Sequence, residues 1–211
     1  MYSEPGADCP LCPRLAGMRA DNRQAHPDWF NGPVPSFGDG GARLLIIGLA
    51  PGLQGANRTG RPFTGDAAGV LLYDALAAHG FARGSYGAHA ADGLTLRDCR
   101  ITNAVRCVPP QNKPENSEIL NCRKYLEAEI KSMPQVVAFL ALGKIAHDSV
   151  VRALGLRLAG APFAHGARHD LPDGRLLFDS YHCSRYNTNT GRLTPAMFDA
   201  VFRNIRQCLR E

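Results

Sequence analysis

The glycine-rich stretch from residue 48 to residue 66 contains the residue types best suited to binding a ligand. It follows a short apolar run that predicts a buried strand, and Asp66 at its end is typical of a helix N-cap. A strand, a glycine-rich loop and a helix N-terminus bring backbone N–H groups to one place, which suits an anion or a polar ring. Because the loop also carries Arg58, Arg61 and Phe63, a ligand with a phosphate and a flat part fits it.

This loop matches neither of two familiar phosphate-binding patterns. Its glycines do not form G-x-G-x-x-G, and no G-K-S or G-K-T follows them, so it is neither a dinucleotide fingerprint nor a P-loop. A glycine-rich connection with nothing bound is the alternative interpretation. Loops of this length in a compact domain are usually functional, which favours a binding role.

Four of the seven cysteines have positions that suit a metal centre. Cys9 and Cys12 form a C-x-x-C near the start, and Cys107 and Cys122 follow much later. Such thiols can converge as a four-thiolate site for an iron–sulfur cluster or for zinc, which the residues alone separate poorly. A C-x-x-C redox motif is less suitable because no βαβ pattern surrounds it, and the odd cysteine count argues against a disulfide framework. The other cysteines are interpreted as packing residues: Cys99, Cys183 and Cys208.

Strands and helices alternate along the chain, which predicts an α/β fold with a mostly parallel, four-stranded sheet. The predicted strands are residues 44–47, 100–106, 136–142 and the neighbourhood of 176–178. The predicted helices are residues 67–79, 117–132, 145–154 and a last helix that Thr194–Pro195 caps. Residues 18–40 are predicted to be an ordered loop, and residues 83–98 an irregular excursion.

Parallel strands deliver their following loops to one edge of the sheet, where ligands bind in such folds. Polar or aromatic side chains follow three of the predicted strands, and one of the loops is stiffened by three prolines. We therefore expect the chemistry to come from Phe63, Asp66, Asn103, Asn112 and His182. The other six histidines show no metal-ligand spacing and are interpreted as structural.

Length and composition predict one domain over residues 1–211. No apolar run approaches the ~20 residues of a membrane span, and the N-terminus lacks a signal-peptide core, so we expect an intracellular monomer without a membrane partner. The net charge is +5, with 20 arginines and 4 lysines. Arginine binds phosphate bidentately and stacks on bases, so the charge favours nucleic acid, although GC-rich genomes also favour arginine.

Taken together, the motifs are similar to those of the uracil-DNA glycosylase superfamily, specifically its iron–sulfur branch. They are C-x-x-C at residues 9–12, and G-L-A-P-G with R-T-G-R-P-F-T-G-D at residues 48–66. N-A-V-R-C-x-P-P-x-N-K-P follows from Asn103, and H-C-S-R-Y-N-T-N-T-G-R-L-T from His182. The resemblance covers nearly the whole chain and implies a three-layer sandwich, with the sheet between layers of helices.

Within that superfamily the chain most resembles the type 5, or B-type, family. Other families place a carboxylate or amide for the attacking water in the first motif, where this chain has the apolar Leu49 and Ala50. Two positions depart from the expected pattern: Asn103 stands where many type 5 members are apolar, and Cys183 replaces a proline. The resemblance implies a [4Fe-4S] cluster on Cys9, Cys12, Cys107 and Cys122.

The resemblance also implies a role for each side chain at the sheet edge. His182 donates to the departing base, Phe63 stacks on it and Gly52 lies against it. Asn103 departs from the family pattern, but its amide both donates and accepts and so could read the edge of a pyrimidine. Asn112 holds the attacking water, with Asp66 as a second candidate. Residues of two loops are expected to grip DNA and fill the vacated stack: Arg58, Arg61, Ser184, Arg185, Tyr186, Asn187 and Arg192.

The implied function is hydrolytic removal of uracil from double-stranded DNA after the base has been flipped out, as the first step of base excision repair. Hypoxanthine, ethenocytosine and hydroxymethyluracil are further implied substrates, and a cytoplasmic, nucleoid-associated location is expected. Three alternatives remain open: a type 4 enzyme restricted to uracil, a protein that binds or traps lesions without turnover, and a redox protein.

Overall fold

Four parallel strands form the centre of a six-stranded sheet in the computed structural model, which describes residues 4–210. The strands are β1 Phe37–Gly38, β2 Leu44–Gly48, β3 Ala82–Arg83, β4 Thr95–Leu96, β5 Cys99–Asn103, β6 Ala138–Leu142, β7 Arg168–Asp170 and β8 Leu176–Ser180. Their order in the sheet is β1-β5-β2-β6-β8-β7, and β3 pairs with β4 separately. The four predicted strands are confirmed as the parallel centre. A sheet of four strands is wrong as a total, because β1 and β7 add short antiparallel edges.

The helices lie on both faces of this sheet. They are α1 Pro13–Ala25, α2 Ala56–Thr59, α3 Ala67–Ala78, α4 Asn116–Ser132, α5 Lys144–Ala153, α6 Arg185–Asn189 and α7 Pro195–Cys208. Two predicted N-caps are confirmed, since the side chains of Asp66 and Thr194 accept backbone hydrogen bonds from the first turns of α3 and α7. The predicted domain ends at residues 1 and 211 lie outside the described residues.

Strand β2 shows why the fold has three layers. Leu44 and Ile46 pack in the cluster formed with α3 and α7, whereas Leu45 and Ile47 pack in the cluster formed with α4 and α5. Successive side chains of a strand point to opposite faces, so a strand covered on both sides must be apolar throughout. All four residues are fully buried, which confirms the predicted sandwich.

The carboxyl ends of the parallel strands meet at one edge of the sheet. Gly48 at the end of β2 pairs with Asn103 at the end of β5, and Leu142 of β6 pairs with Ser180 of β8. The loops that follow β2, β5 and β8 therefore all begin at this edge of the sheet. The expectation that they share an edge is confirmed.

The N-terminal helix α1 is the main departure from the predicted elements. Residues 18–40 were expected to be a loop, but α1 extends to Ala25. It begins at Pro13, where a helix needs no backbone N–H donor. Its buried face consists of Leu15, Arg19 and Asn22, two of them polar, so no helical repeat of apolar residues marks it in the sequence.

Candidate active site

A cavity of about 770 Å³ opens at this edge of the sheet. Three separate strand ends line it: the loop after β2 contributes Phe63 and Asp66, the end of β5 and its loop contribute Asn103 and Asn112, and the loop after β8 contributes His182. These five side chains are the ones that the sequence predicted to meet. Gly52 also lines the cavity, together with the apolar Leu49 and Ala50.

Phe63 forms one wall of the cavity. Its ring lies 5.7 Å from the His182 ring at an interplanar angle of 28°. Its backbone has a φ of 52°, an uncommon value for a bulky residue. Gly48 makes room for the ring, since a Cβ there would lie 2.6 Å from Phe63 Cζ and 2.4 Å from Asn103 Oδ1. The last residue of β2 must therefore be glycine for this wall to form.

His182 is half-buried at the cavity, with its ring available to a ligand. Burial lowers the pKa of His182, and the nearby Asp66 charge opposes this shift without reversing it. The imidazole is therefore neutral at pH 7, with one nitrogen that donates and one that accepts. The Asn187 side-chain amide donates to the His182 carbonyl over 2.8 Å, which holds the loop in place.

The two asparagines reach the cavity from different depths. Asn103 is only 2% exposed and lies on the floor, at the end of β5. Asn112 is exposed and ends a single helical turn, Pro110–Asn112, in which Gln111 and Asn112 have φ values of 55° and 56°. Asparagine tolerates this left-handed region better than most residues, which suits it to this turn. An amide at each depth can donate to and accept from a bound group.

Asp66 both caps a helix and lines the cavity. Its Oδ1 accepts from the backbone N–H groups of Ala68 and Gly69 at 3.1 and 3.2 Å. Its Oδ2 lies beside the β2 loop, where a Cβ on Gly55 would be 2.4 Å away and one on Gly52 would be 3.0 Å away. The capping interpretation and the site interpretation are therefore compatible, because they use different oxygens.

The rim of the cavity is formed by the loop after β8 and by α6. Its members are Ser184, Arg185, Tyr186, Asn187 and Arg192, all of them predicted to contact DNA. Tyr186 is 72% exposed, and the Arg192 guanidinium lies 4.5 Å from the centre of the Tyr181 ring. An exposed aromatic ring and two arginines on the same rim are well suited to nucleic acid. The DNA contacts of these residues stay predictions.

The two arginines of the β2 loop have different positions. Arg58 is exposed, and its role in DNA binding stays a prediction. Arg61 is only 4% exposed, and its guanidinium binds the Asp92 carboxylate at 2.7 and 2.6 Å. The prediction that Arg61 contacts DNA is wrong, because its charge is neutralised inside the protein. Asp92 lies in the excursion at residues 83–98, and no local signal in the sequence indicated this pairing.

The four cysteines with metal-ligand spacing line one cavity at the corner where α1 meets α4: Cys9, Cys12, Cys107 and Cys122. Each sulfur lies near a hydrogen-bonding group. The partners are Tyr125 Oη for Cys9, Asn121 Nδ2 for Cys12, Arg19 Nη1 for Cys107 and the Arg106 backbone N–H for Cys122. Thiolates accept such bonds, so these residues have the chemistry of a four-thiolate site, and a metal centre here stays a prediction. Cys99 and Cys183 are buried in the core, as packing residues would be.

A histidine cluster, which the sequence did not reveal, joins α5, β7 and β8. His147 Nδ1 and His169 Nε2 lie 2.7 and 3.0 Å from the two oxygens of Asp179, and His147 Nε2 lies 2.7 Å from the Ala161 carbonyl. Both nitrogens of His147 face acceptors, so both carry protons and the ring is a cation. The three side chains also form a group with metal-ligating chemistry, but these short distances are those of hydrogen bonds.

Among the described residues, no helix is long and apolar enough to cross a membrane.

A model of the uracil DNA glycosylase superfamily matches residues 35–206. A type-5 uracil-DNA glycosylase of Thermus thermophilus is 47% identical over 90% of this chain and 89% of its own length. Another, of Mycobacterium leprae, is 44% identical over 94% of this chain and 90% of its own length. A type-4 uracil-DNA glycosylase of Saccharolobus solfataricus matches at 32% over only 59% of this chain and 51% of its own length. The chain therefore belongs to the uracil DNA glycosylase superfamily and, within it, to the type-5 family.

Proposed function

We propose that this protein is a DNA glycosylase that hydrolyses the bond between uracil and its deoxyribose in double-stranded DNA. One observation above all supports this: Phe63, Asn112 and His182 come from three different strand ends and line a single cavity. The named relatives are uracil-DNA glycosylases that match nearly the whole chain. A base inside a duplex cannot reach such a cavity, so the target nucleotide must be flipped out of the stack.

The cavity would hold the flipped base between a ring and an amide. Phe63 offers a flat apolar face, and base–aromatic stacking tolerates every base because each has a π-face. Asn103 on the floor offers one donor and one acceptor group to the edge of the base. The fixed position of both side chains, behind Gly48, would orient the glycosidic bond toward the loops above.

Cleavage develops negative charge on the base and positive charge on the sugar. His182 is the donor for the base, because burial keeps its ring neutral and a neutral imidazole still has one N–H to give. Donors aimed at developing charge in a water-poor site stabilise the transition state more than the ground state. The Asp66 carboxylate, at the same cavity, would offset the cationic sugar.

The attacking water requires a ligand outside the first motif. Leu49 and Ala50 line the cavity with apolar side chains and cannot bind a water through them. The Asn112 amide, held in its strained turn at the mouth, can accept from a water and orient it. Asp66 is the second group that could do so through its Oδ2.

A [4Fe-4S] cluster would be held by Cys9, Cys12, Cys107 and Cys122, whose sulfurs line one cavity and have hydrogen-bonding neighbours. When bound, it would cross-link the N-terminal segment to α4 and to the loop that carries Asn112. The purified protein should then be brown and absorb near 400 nm, as iron–sulfur proteins with cysteine ligands do. An active protein that is colourless and contains zinc would contradict this assignment.

The cavity also leads us to propose substrates other than uracil. Its volume of about 770 Å³ exceeds what a pyrimidine needs, and the Phe63 ring can stack on other ring systems because each base has a π-face. We expect excision of hypoxanthine and ethenocytosine, each placed singly in a duplex oligonucleotide, with the undamaged duplex as control. Excision of uracil alone would contradict the broad specificity while leaving the glycosylase proposal intact.

A further inference from the structure

The backbone of Phe63 requires an explanation that the cavity does not provide. A phenylalanine with a φ of 52° is strained, and such residues persist only where their surroundings hold them in place. The chain on either side of Phe63 is bound by side chains that come from outside the loop. These side chains belong to α3 and to the excursion between β3 and β4.

Tyr86, in that excursion, bridges the two sides of Phe63. Its hydroxyl accepts from the Gly65 N–H over 3.1 Å and donates to the Phe63 carbonyl over 3.2 Å. Burial raises the pKa of Tyr86, so the hydroxyl stays protonated and keeps its ability to donate. One oxygen atom therefore fixes both the peptide that leaves Phe63 and the peptide that enters Gly65.

The excursion is itself fixed to the β2 loop by the buried pair of Arg61 and Asp92. Besides its two bonds to Arg61, the Asp92 carboxylate accepts from the backbone N–H groups of Gly87 and Leu94 at 2.8 and 3.0 Å. The Arg61 guanidinium lies 5.3 Å from the centre of the Tyr73 ring and 5.9 Å from that of Tyr86. The two tyrosine rings stack with their centres 4.7 Å apart.

Helix α3 leaves this arrangement no space to relax. A Cβ on Gly69 would lie 1.9 Å from the Phe63 carbonyl oxygen and 2.4 Å from the Tyr86 hydroxyl. The glycine allows the helix, the tyrosine hydroxyl and the Phe63 carbonyl to pack against one another directly. A displaced Tyr86 would therefore move Phe63 rather than be absorbed by a gap.

We infer that Tyr86 is a positioning residue for base excision, which sets the place of the Phe63 ring from outside the cavity. Tyr86 is absent from the cavity lining, so it would act through Phe63 alone. The inference rests on the proposed function, because the Phe63 ring matters to catalysis only if it stacks on the flipped base.

The test compares two variants that each lose one phenolic hydroxyl. Tyr86→Phe keeps the stacked ring and removes only the bridge. Tyr73→Phe is the matched control, because the Tyr73 hydroxyl is buried and donates to the Pro62 carbonyl over 2.7 Å, one residue before Phe63. Excision of uracil from a duplex is measured for both, together with hydrogen exchange of residues 63–66 in the free protein.

We expect kcat of Tyr86→Phe to fall about tenfold with KM for DNA unchanged, as a small misplacement of a reacting group predicts. The 63–66 amides should exchange faster in this variant than in Tyr73→Phe, which frees only the Pro62 carbonyl before Phe63 and should therefore lose less kcat. Wild-type kcat in Tyr86→Phe, or an equal loss in both variants, would overturn the inference. If the wild type itself releases no uracil, the proposed function fails. Exchange alone then decides: unchanged 63–66 exchange in Tyr86→Phe overturns the bridge, and exchange that is faster in Tyr86→Phe than in Tyr73→Phe supports it.

Discussion

Two histidines, the buried His147 and the half-buried His182, have opposite environments. His147 of α5 has an acceptor at each ring nitrogen, the Asp179 carboxylate and the Ala161 carbonyl. His182 faces a cavity and the ring of Phe63. Burial by itself would lower the pKa of His147, but the hydrogen bond and charge of Asp179, together with the Ala161 carbonyl and the Asp148 charge, raise it. For His182 burial dominates and lowers the pKa.

The difference shows how the surroundings of a histidine decide whether it stabilises the fold or contacts a substrate. A histidine whose two nitrogens are satisfied within the protein has nothing left to offer a ligand, and it holds elements together. A half-buried histidine that opens onto a cavity keeps its donor and acceptor for the substrate. The following predictions test this contrast, beginning with the largest expected effect.

Replacing His182 should affect catalysis rather than folding. In His182→Ala we expect excision to fall by about 10²–10⁴-fold, since the donor to the departing base is lost. DNA affinity and the thermal midpoint should change little, because His182 contributes few internal contacts. Single-turnover excision, measured beside DNA binding by anisotropy, checks this. An unchanged excision rate would refute the role of His182.

Replacing His147 should affect folding rather than catalysis. In His147→Ala the Asp179 carboxylate loses its buried partner at 2.7 Å and keeps only His169, at a cost of about 3–5 kcal/mol in the free energy of unfolding. Chemical denaturation measures this loss. The excision rate per folded molecule should stay near the wild type below the unfolding temperature. A large loss of excision with normal stability would mean that this cluster belongs to the active site.

The two asparagines of the cavity separate water binding from base binding. We expect Asn112→Ala to slow cleavage by about 10²-fold and Asn103→Ala by about tenfold, since only Asn112 orients the nucleophile. Both substitutions remove an amide of the same size, so each is the control for the other. Single-turnover rates with a uracil duplex give the order. The reverse order would mean that a residue other than Asn112 binds the attacking water.

The pH dependence of stability gives the smallest but most direct contrast. The raised pKa of His147 contributes stability that is complete below the unfolded value of about 6.5 and is lost as the pH rises through the folded value. The lowered pKa of His182 contributes stability that is complete above about 6.5 and is lost as the pH falls toward the folded value. The destabilisation caused by His147→Ala should therefore shrink from pH 6 to pH 9. The small effect of His182→Ala on stability should change in the opposite direction, because the wild type loses stability relative to this variant from pH 7 to pH 5. Thermal melts across this range measure both slopes, and parallel slopes would contradict the assignment of the two charges.

The sequence predicted the parts of the fold that depend on local patterns. Apolar runs marked the central strands, and Asp66 and Thr194 marked helix starts because an N-cap is a local hydrogen bond. The rule that parallel strands deliver their loops to one edge then placed five side chains in one cavity. Helix α1 was not predicted, because its buried face contains Arg19 and Asn22 beside Leu15 and so lacks an apolar repeat.

The long-range polar pairs could not be predicted. Arg61 and Asp92 are 31 positions apart, and His147 and Asp179 are 32 apart, so neither pair leaves a periodic signal. The charge of Arg61 and its place in the glycine-rich motif therefore predict a DNA contact that its burial prevents. Burial decides whether a charge is available to a ligand, and burial follows from the whole fold rather than from the neighbouring residues.

Multiple-turnover release of free uracil from a duplex carrying a single deoxyuridine is the most direct test of the catalytic cavity. The product is quantified by chromatography at a tenfold excess of DNA over protein, in parallel with His182→Ala. We predict several molecules of uracil per molecule of wild-type protein and almost none from the variant. At most one uracil per protein, or a DNA adduct that survives denaturation, would contradict the account.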